Sequence, residues 1–304
     1  MNVNIKKITT EGRNQNTLDI DRVSTKEILV KLNNEDKTVA LAVEKALDQI
    51  AKCVDMVYEV FMNDGRLIYM GAGTSGRIGL IDAVECKPTY GVSPEMVQCL
   101  MAGGMGAMVQ AVEGAEDSKE MAIEDLKRIN LTENDIVIGI AASGRTPYVI
   151  GGIEYAKQVG AKTASISTSA NTIISSMVDC PIEAVTGAEP ITGSTRMKSG
   201  TAQKMICNMI STASMVKMGK VYQNLMIDVQ ATNEKLVARS ISIIKEVTGL
   251  DDLNAKIAFD KYGSVKKAML GILAGIDEVA EVDLILNKHK GNIRKALQEV
   301  GIND

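Results

Sequence analysis

Two short stretches of this chain combine glycine, hydroxyl and guanidinium groups in a pattern suited to holding an anion. The first is Gly71-Ala-Gly-Thr-Ser-Gly-Arg77, and the second is Ala142-Ser-Gly-Arg-Thr-Pro147. In each, glycine (Gly73, Gly76, Gly144) lets the backbone come close to a bound group. Thr74, Ser75, Ser143 and Thr146 offer hydroxyl donors, and Arg77 and Arg145 add charge. Phosphate is the expected guest. Either stretch alone is equally an ordinary helix N-cap; two at separate strand–helix junctions point to a binding edge. A third stretch, Gly193-Ser-Thr-Arg-Met-Lys-Ser-Gly200, adds Arg196 and Lys198. Its plainer reading is a helix start with two exposed cations, and its distance from the other two stretches is not legible in the sequence.

The guest is not expected to be a nucleotide. The first stretch has no acidic residue closing the next strand near Met101, as a dinucleotide fingerprint requires, and the Gly-Lys-Ser/Thr element of a Walker A loop is missing. A compact phosphosugar fits better.

Two carboxylates stand close to this edge. Glu85, in Asp82-Ala-Val-Glu-Cys-Lys-Pro-Thr-Tyr90, lies about three helical turns beyond Gly73 along the chain. Glu116, in Ala111-Val-Glu-Gly-Ala-Glu-Asp117, opens a helix after Gly103-Gly104. A carboxylate at a helix start often does no more than offset the helix dipole, so residue chemistry alone leaves the role of Glu85 and Glu116 open. The single histidine, His289 in Asn287-Lys-His-Lys-Gly-Asn, reads as a solvated helix-end residue. Proton transfer then falls mainly to carboxylates, Lys, Tyr or groups of the substrate.

The elements that must carry these residues follow from hydrophobic period. Short apolar runs predict strands over Arg66–Met70, Met96–Met101, Asp135–Ala141, Lys162–Ser167 and Pro181–Val185. Apolar residues at steps of three and four from Val39 to Phe61 predict a helix over Thr38–Met62. Further helices are expected over Glu116–Ile129, Pro147–Val159 and Lys198–Lys217. This alternation predicts an α/β fold, a doubly wound parallel sheet flanked by helices. In such a sheet, ligands sit beyond the carboxyl ends of the strands. After about residue 245 the pattern changes to short helices near Asp251–Phe259, Ser264–Leu273, Ile276–Asn287 and Asn292–Val300, punctuated by Gly263, Gly275 and Gly291. The expected division is a phosphosugar-binding domain over 1–245 with an N-terminal helical extension, and a small helical module over 246–304.

Composition narrows the function classes. The chain has 304 residues, 45% of them apolar and 24% charged, which is ordinary globular usage. Aromatics make up 3%, with no Trp, so the core rests on aliphatic residues and 17 Met, and base stacking is not expected. The net charge of −4 gives no extended basic surface, so no nucleic-acid partner is expected. Met1 to Arg13 is polar, without the apolar run of a signal peptide, and no stretch has the ~18 apolar residues of a membrane span. Five Cys without CxxC spacing read as reduced cytosolic thiols rather than zinc ligands. A cytoplasmic protein without metal or cofactor is the expectation.

Taken together, these motifs resemble the N-acetylmuramic acid 6-phosphate etherases, within the sugar isomerase (SIS) superfamily of phosphosugar-binding domains. The resemblance runs through Ile20-Asp-Arg-Val-Ser-Thr25, Asn34-Glu-Asp-Lys37, Gly71–Arg77, Glu85-Cys86, Pro88–Gly91, Val112–Asp117, Gly139–Tyr148, Arg196-Met-Lys198 and Gly200–Lys204. One departure is Lys87, where the family tends to show Pro. The resemblance implies that Glu85 and Glu116 are the acid/base pair. It carries phosphate contacts over to Ser75, Gly76, Ser143 and Thr146. The implied reaction removes the C2 proton of the open-chain sugar, expels lactate from C3 and adds water, and a homodimer is the implied assembly. Two rivals share the same loops: an aldose–ketose isomerase, which would give a ketose and no lactate, and a non-catalytic phosphosugar sensor, which has no use for the paired glutamates.

Overall fold

The computed structural model describes residues 9–110, 112–231 and 233–302. The leader reading at residues 1–8, the first residue of the acidic stretch, Ala111, and the last two residues of the expected C-terminal module lie outside them.

Five strands form one parallel sheet: β1 (Leu67–Gly71), β2 (Val97–Met101), β3 (Ile136–Ile140), β4 (Lys162–Ser167) and β5 (Cys180–Glu183). Their order is β2-β1-β3-β4-β5. All five residues of β1 and of β3 are buried, as a parallel strand covered on both faces demands. The helices along this part of the chain are α1 (Thr25–Glu44), α2 (Leu47–Met62), α3 (Gly73–Tyr90), α4 (Gly106–Val109), α5 (Lys119–Arg128), α6 (Pro147–Val159) and α7 (Lys198–Lys217). Side-chain alternation along β1 shows the two faces. Ile68 and Met70 join Leu126 of α5 and Tyr148 and Ile153 of α6 in one core. Tyr69 points the other way, its hydroxyl 3.1 Å from Asp82 of α3 and 3.4 Å from the Cys207 carbonyl of α7. The doubly wound architecture is the one expected.

The single helix predicted over Thr38–Met62 is two. Helix α1 starts thirteen residues earlier, at Thr25, because Ser24 accepts from the Glu27 amide while the Glu27 carboxylate accepts from the Ser24 amide, a reciprocal cap that satisfies two orphan donors. It ends at Glu44, and buried Ala46 leaves helical geometry at φ −104°, ψ 8° with no Gly or Pro to announce the break.

The remaining helices, α8 (Glu234–Thr248), α9 (Asp252–Tyr262), α10 (Val265–Ala274), α11 (Val279–Lys288) and α12 (Ile293–Glu299), follow a short hairpin of β6 (Val221–Tyr222) and β7 (Leu225–Met226). They enclose their own core of Ile244, Tyr262, Met269, Val282, Ile293 and Leu297. Asn233, Asp251, Ser264 and Asn292 cap α8, α9, α10 and α12, and Gly249, Gly263 and Gly275 end α8, α9 and α10 with φ near +70°. The boundary expected near residue 245 falls inside α8, which the sequence reading did not include. By compactness, the described residues up to Val84 group with those of Pro94–Ser211, and Glu85–Ser93 group with the described residues from Thr212 onward. The division passes through α3 and α7, so no change of composition marks it.

Candidate active site

Strand β1 has β2 on one side and β3 on the other. The chain therefore winds in opposite directions from β1 and β3, and the loops leaving their carboxyl ends open a crevice where ligands of such sheets bind. Gly71 at the end of β1 is in register with Ile140 at the end of β3, so the two predicted stretches start side by side.

The stretch after β3 turns at Gly144, whose φ is +64°. A Cβ there would lie 2.2 Å from the Thr172 Cβ, so this glycine is required by the neighbouring loop as well as by the turn. Thr146 precedes α6 with Pro147 at its first turn, and the Thr146 hydroxyl makes no capping bond to the helix. That hydroxyl is not consumed by its own helix. Ser143 and Thr146 are half-buried and Arg145 is exposed.

The stretch after β1 is less of a loop than expected, because α3 begins at Gly73 and Thr74–Arg77 form its first turn. Gly73 has φ +54° and is exposed. Ser75 is buried and donates to Gln203 Oε1 at 2.9 Å. Gly76 serves packing, since a Cβ on it would come within 2.7 Å of the Gly71 carbonyl oxygen, and its amide donates to the Ala72 carbonyl. Arg77 turns to the protein itself: Nε donates to the Met108 carbonyl at 3.1 Å and Nη2 to the Ala107 carbonyl at 2.7 Å. The guanidinium thus pins the 105–110 segment to α3.

That clamp helps shape a cavity of about 270 Å³ whose lining includes Gly73, Arg77, Met101, Glu113 and Glu116. Glu116 sits on a single 3-10 turn, Ala115–Asp117, entered through Gly114 at φ +74°. Ala115 is buried in the sheet core and anchors the turn, which leaves Glu116 exposed beside it. The cavity brings Gly73, Arg77 and Glu116 together and leaves Ser143, Gly144, Arg145 and Thr146 outside its lining. Glu113 is a second acidic lining residue that sequence reasoning passed over; its place three residues before Glu116 was the available signal. Glu85 is exposed on α3, as is Lys87.

The third stretch does approach the first. Gly200 on α7 faces Thr74, whose Cγ2 would lie 3.4 Å from a Cβ at that position. Arg196 is exposed. Lys198 is not the exposed cation that the sequence suggested: its ammonium lies 2.8 Å from Glu35 Oε2 and 3.3 Å from the Ala188 carbonyl, and it is 4% exposed. Asn14 and Asn16 donate to the same carboxylate. Burial pushes Glu35 up, but the bonds from Lys198, Asn16 and Asn14 outweigh it and hold the carboxyl below the usual range. The amides of Lys198 and Ser199, at the start of α7, donate to the buried Glu189 carboxylate at 2.8 and 2.9 Å. The protein's own anion thus fills that helix terminus. Glu35, Glu189 and Gln203 carry this arrangement; Glu35 and Gln203 lie in stretches that carry the family resemblance but were given no role there, and Glu189 had no local signal.

Among the described residues, no group of three His, Cys, Asp or Glu side chains could hold a metal ion, and no helix is long and apolar enough to cross a membrane. His289 bonds to Glu299 at 2.6 Å among the C-terminal helices.

Comparison with known proteins places the chain among relatives. Residues 49–157 match the family model of the glucokinase regulatory protein N-terminal SIS domain, and residues 104–213 match the SIS domain model. The chain is 54% identical over 299 residues to the N-acetylmuramic acid 6-phosphate etherase of Clostridium beijerinckii, covering 98% of each. It is 55% identical over 293 residues to the etherase of the same name from Bacillus cereus, covering 96% of this chain and 100% of that one. In fold it is similar to a Bacteroides fragilis protein described as a phosphosugar isomerase involved in capsule formation, with a TM-score of 0.51 and 21% identity over 66% of this chain and 95% of that one.

Proposed function

The chain belongs to the N-acetylmuramic acid 6-phosphate etherases, enzymes of the carbon–oxygen lyase class, and we propose that Glu85 and Glu116 are its acid–base pair. The observation that supports Glu116 is the cavity at the carboxyl edge of β1 and β2, which it lines with Gly73 and Arg77; Glu85 is outside that lining and rests on the family resemblance of Glu85-Cys86. Ser75, Ser143 and Thr146 hold the 6-phosphate from the switch point, with Gly73 and Thr74 beside them and Arg145 and Arg196 supplying charge at the rim. Lys198 is left out of this set, because its ammonium is already paired with Glu35.

An alkoxide leaves poorly, so the ether is not broken by direct displacement. In the open-chain sugar the C2 proton is α to the C1 aldehyde. Glu116 removes it, the electron pair enters the carbonyl as an enolate, and the C3–oxygen bond breaks as the pair returns. Glu85 protonates the departing lactyl oxygen. Water then adds to the unsaturated aldehyde at C3, giving N-acetylglucosamine 6-phosphate and D-lactate. The chemistry needs one carboxyl neutral, to donate, while the other is ionised, to accept. The pathway served is cell-wall amino sugar recycling.

A cytoplasmic homodimer is the proposed state. The half-buried Met205 and Met209 of α7 leave apolar surface for a second copy.

The test is lactate release from N-acetylmuramic acid 6-phosphate without added metal. Glu85→Gln and Glu116→Gln should each lower it by a factor on the order of 10² or more while phosphosugar binding survives. Near-normal turnover in both variants would remove the pair from the mechanism, and a ketose product without lactate would make the chain an isomerase.

A further inference from the structure

We propose that Gln203 is a positioning residue that turns the Ser75 hydroxyl toward the substrate phosphate. The inference rests on Ser75 being a phosphate contact, as proposed above. Gln203 lies in the second turn of α7, is fully buried, and its Oε1 is 2.9 Å from Ser75 Oγ. Its Nε2 is enclosed by protein and meets no hydrogen-bond partner. Buried amide N–H groups without a partner are uncommon and call for a reason.

The reason lies in what phosphate can accept. A serine hydroxyl has one proton, and here it is donated to Gln203. Ser75 then has only lone pairs left to offer, and a phosphate dianion, which has only acceptors, gains nothing from them. A half turn of the Gln203 amide about its terminal bond exchanges oxygen and nitrogen with almost no change of shape. Nε2 then donates to Ser75 Oγ, the orphan donor finds a partner, and the Ser75 proton is freed for the phosphate. The carbonyl oxygen left behind is the easier group to leave under-satisfied. Gly200, one turn earlier on α7, keeps this helix close to Thr74 and so keeps the amide within reach of Ser75. The rival explanation is that Ser75 and Gln203 only tie α3 to α7, with no effect on the ligand.

The two explanations separate on binding. N-acetylglucosamine 6-phosphate is titrated calorimetrically into the full-length enzyme and into Ser75→Ala, Gln203→Met, Gln203→Glu and the Ser75→Ala/Gln203→Met double variant. Gln203→Glu presents acceptors only and holds the serine proton away from the phosphate. It should weaken binding about tenfold or more, comparable to Ser75→Ala. KM for the phosphorylated substrate should rise while kcat changes little. Gln203→Met added to Ser75→Ala should cost nothing further, because the hydroxyl it serves is gone. Full additivity in that cycle, or wild-type affinity in Gln203→Met alongside weakened Ser75→Ala, leaves Gln203 a structural tie and overturns the proposal. Should Gln203→Glu fail to fold, the methionine cycle decides alone. Unchanged affinity in Ser75→Ala would remove Ser75 from the phosphate contacts, and the Gln203 proposal would fall with it.

Discussion

The Lys198 ammonium lies 2.8 Å from the Glu35 carboxylate, and the two side chains are 5% and 6% exposed. A buried pair of this kind contributes little against an apolar replacement, but breaking it by removing one partner leaves a charge without compensation. Lys198→Ala should therefore destabilise the fold by about 3–5 kcal/mol, and Lys198→Met with Glu35→Met should recover most of the loss. The comparison is urea unfolding of the three proteins at pH 7.

The same pair sets an acid dependence whose sign can be worked out. The folded Glu35 carboxyl titrates below its ordinary value of 4.5. Its contribution to stability is thus fully present above that value and is lost as pH falls through the lower, folded one. In Lys198→Ala the cation is gone, and burial favours the neutral acid. The stability gap between wild type and variant should narrow as pH is lowered from 7 toward 4, by denaturant titration at each pH. A gap that stays constant would mean that Glu35 does not titrate with the fold.

Arg77 holds the carbonyls of Ala107 and Met108. Arg77→Ala should cost on the order of 2 kcal/mol, the scale of hydrogen bonds from a charged donor, and should speed amide exchange selectively around residues 105–110. Arg77→Lys should recover only part of this, because a point cation does not reproduce the two-pronged geometry. Uniform exchange rates in both variants would contradict the clamp.

Gly144→Ala places a Cβ where Thr172 already stands and requires φ +64° of a residue with a side chain. Phosphosugar affinity should fall at least tenfold, since the 141–146 turn has to move by more than a rotamer adjustment. Isothermal titration reads the loss, and far-UV circular dichroism checks that the sheet persists.

Proton abstraction leaves an isotopic record. Product formed in D2O should carry deuterium at C2, because the base exchanges its proton with solvent before the carbon is reprotonated. Mass spectrometry of the N-acetylglucosamine 6-phosphate reads it directly. Product without deuterium at C2 would indicate direct displacement.

Much of the frame is legible in the residue order. Lys162–Ser167, Pro147–Val159 and Lys198–Lys217 coincide with β4, α6 and α7, since each has one unbroken period and a clear start or stop. The misses share a cause. Helix α1 is announced by a cap, Ser24 with Glu27, rather than by a strong apolar stripe, and the break at Ala46 preserves the phase of the stripe across it. Helix α8 is amphipathic, but it lay across the boundary assumed between the two units.

For the site, what the amino-acid sequence determined by itself was chemical inventory and local order: which hydroxyls, guanidinium groups and carboxylates follow which strand, hence a phosphosugar guest and a pair of candidate glutamates. Only the tertiary structure decided how those groups are spent. Arg77 is turned onto carbonyls of 107 and 108, Lys198 onto Glu35, Ser75 onto Gln203, and Glu116 is set at a cavity with Gly73. The physical reason is range. Caps, turns and periodicity act within about four residues of chain, whereas the partners of Lys198 and Ser75 lie 163 and 128 residues away, where only the packing of the sheet brings them within bonding distance.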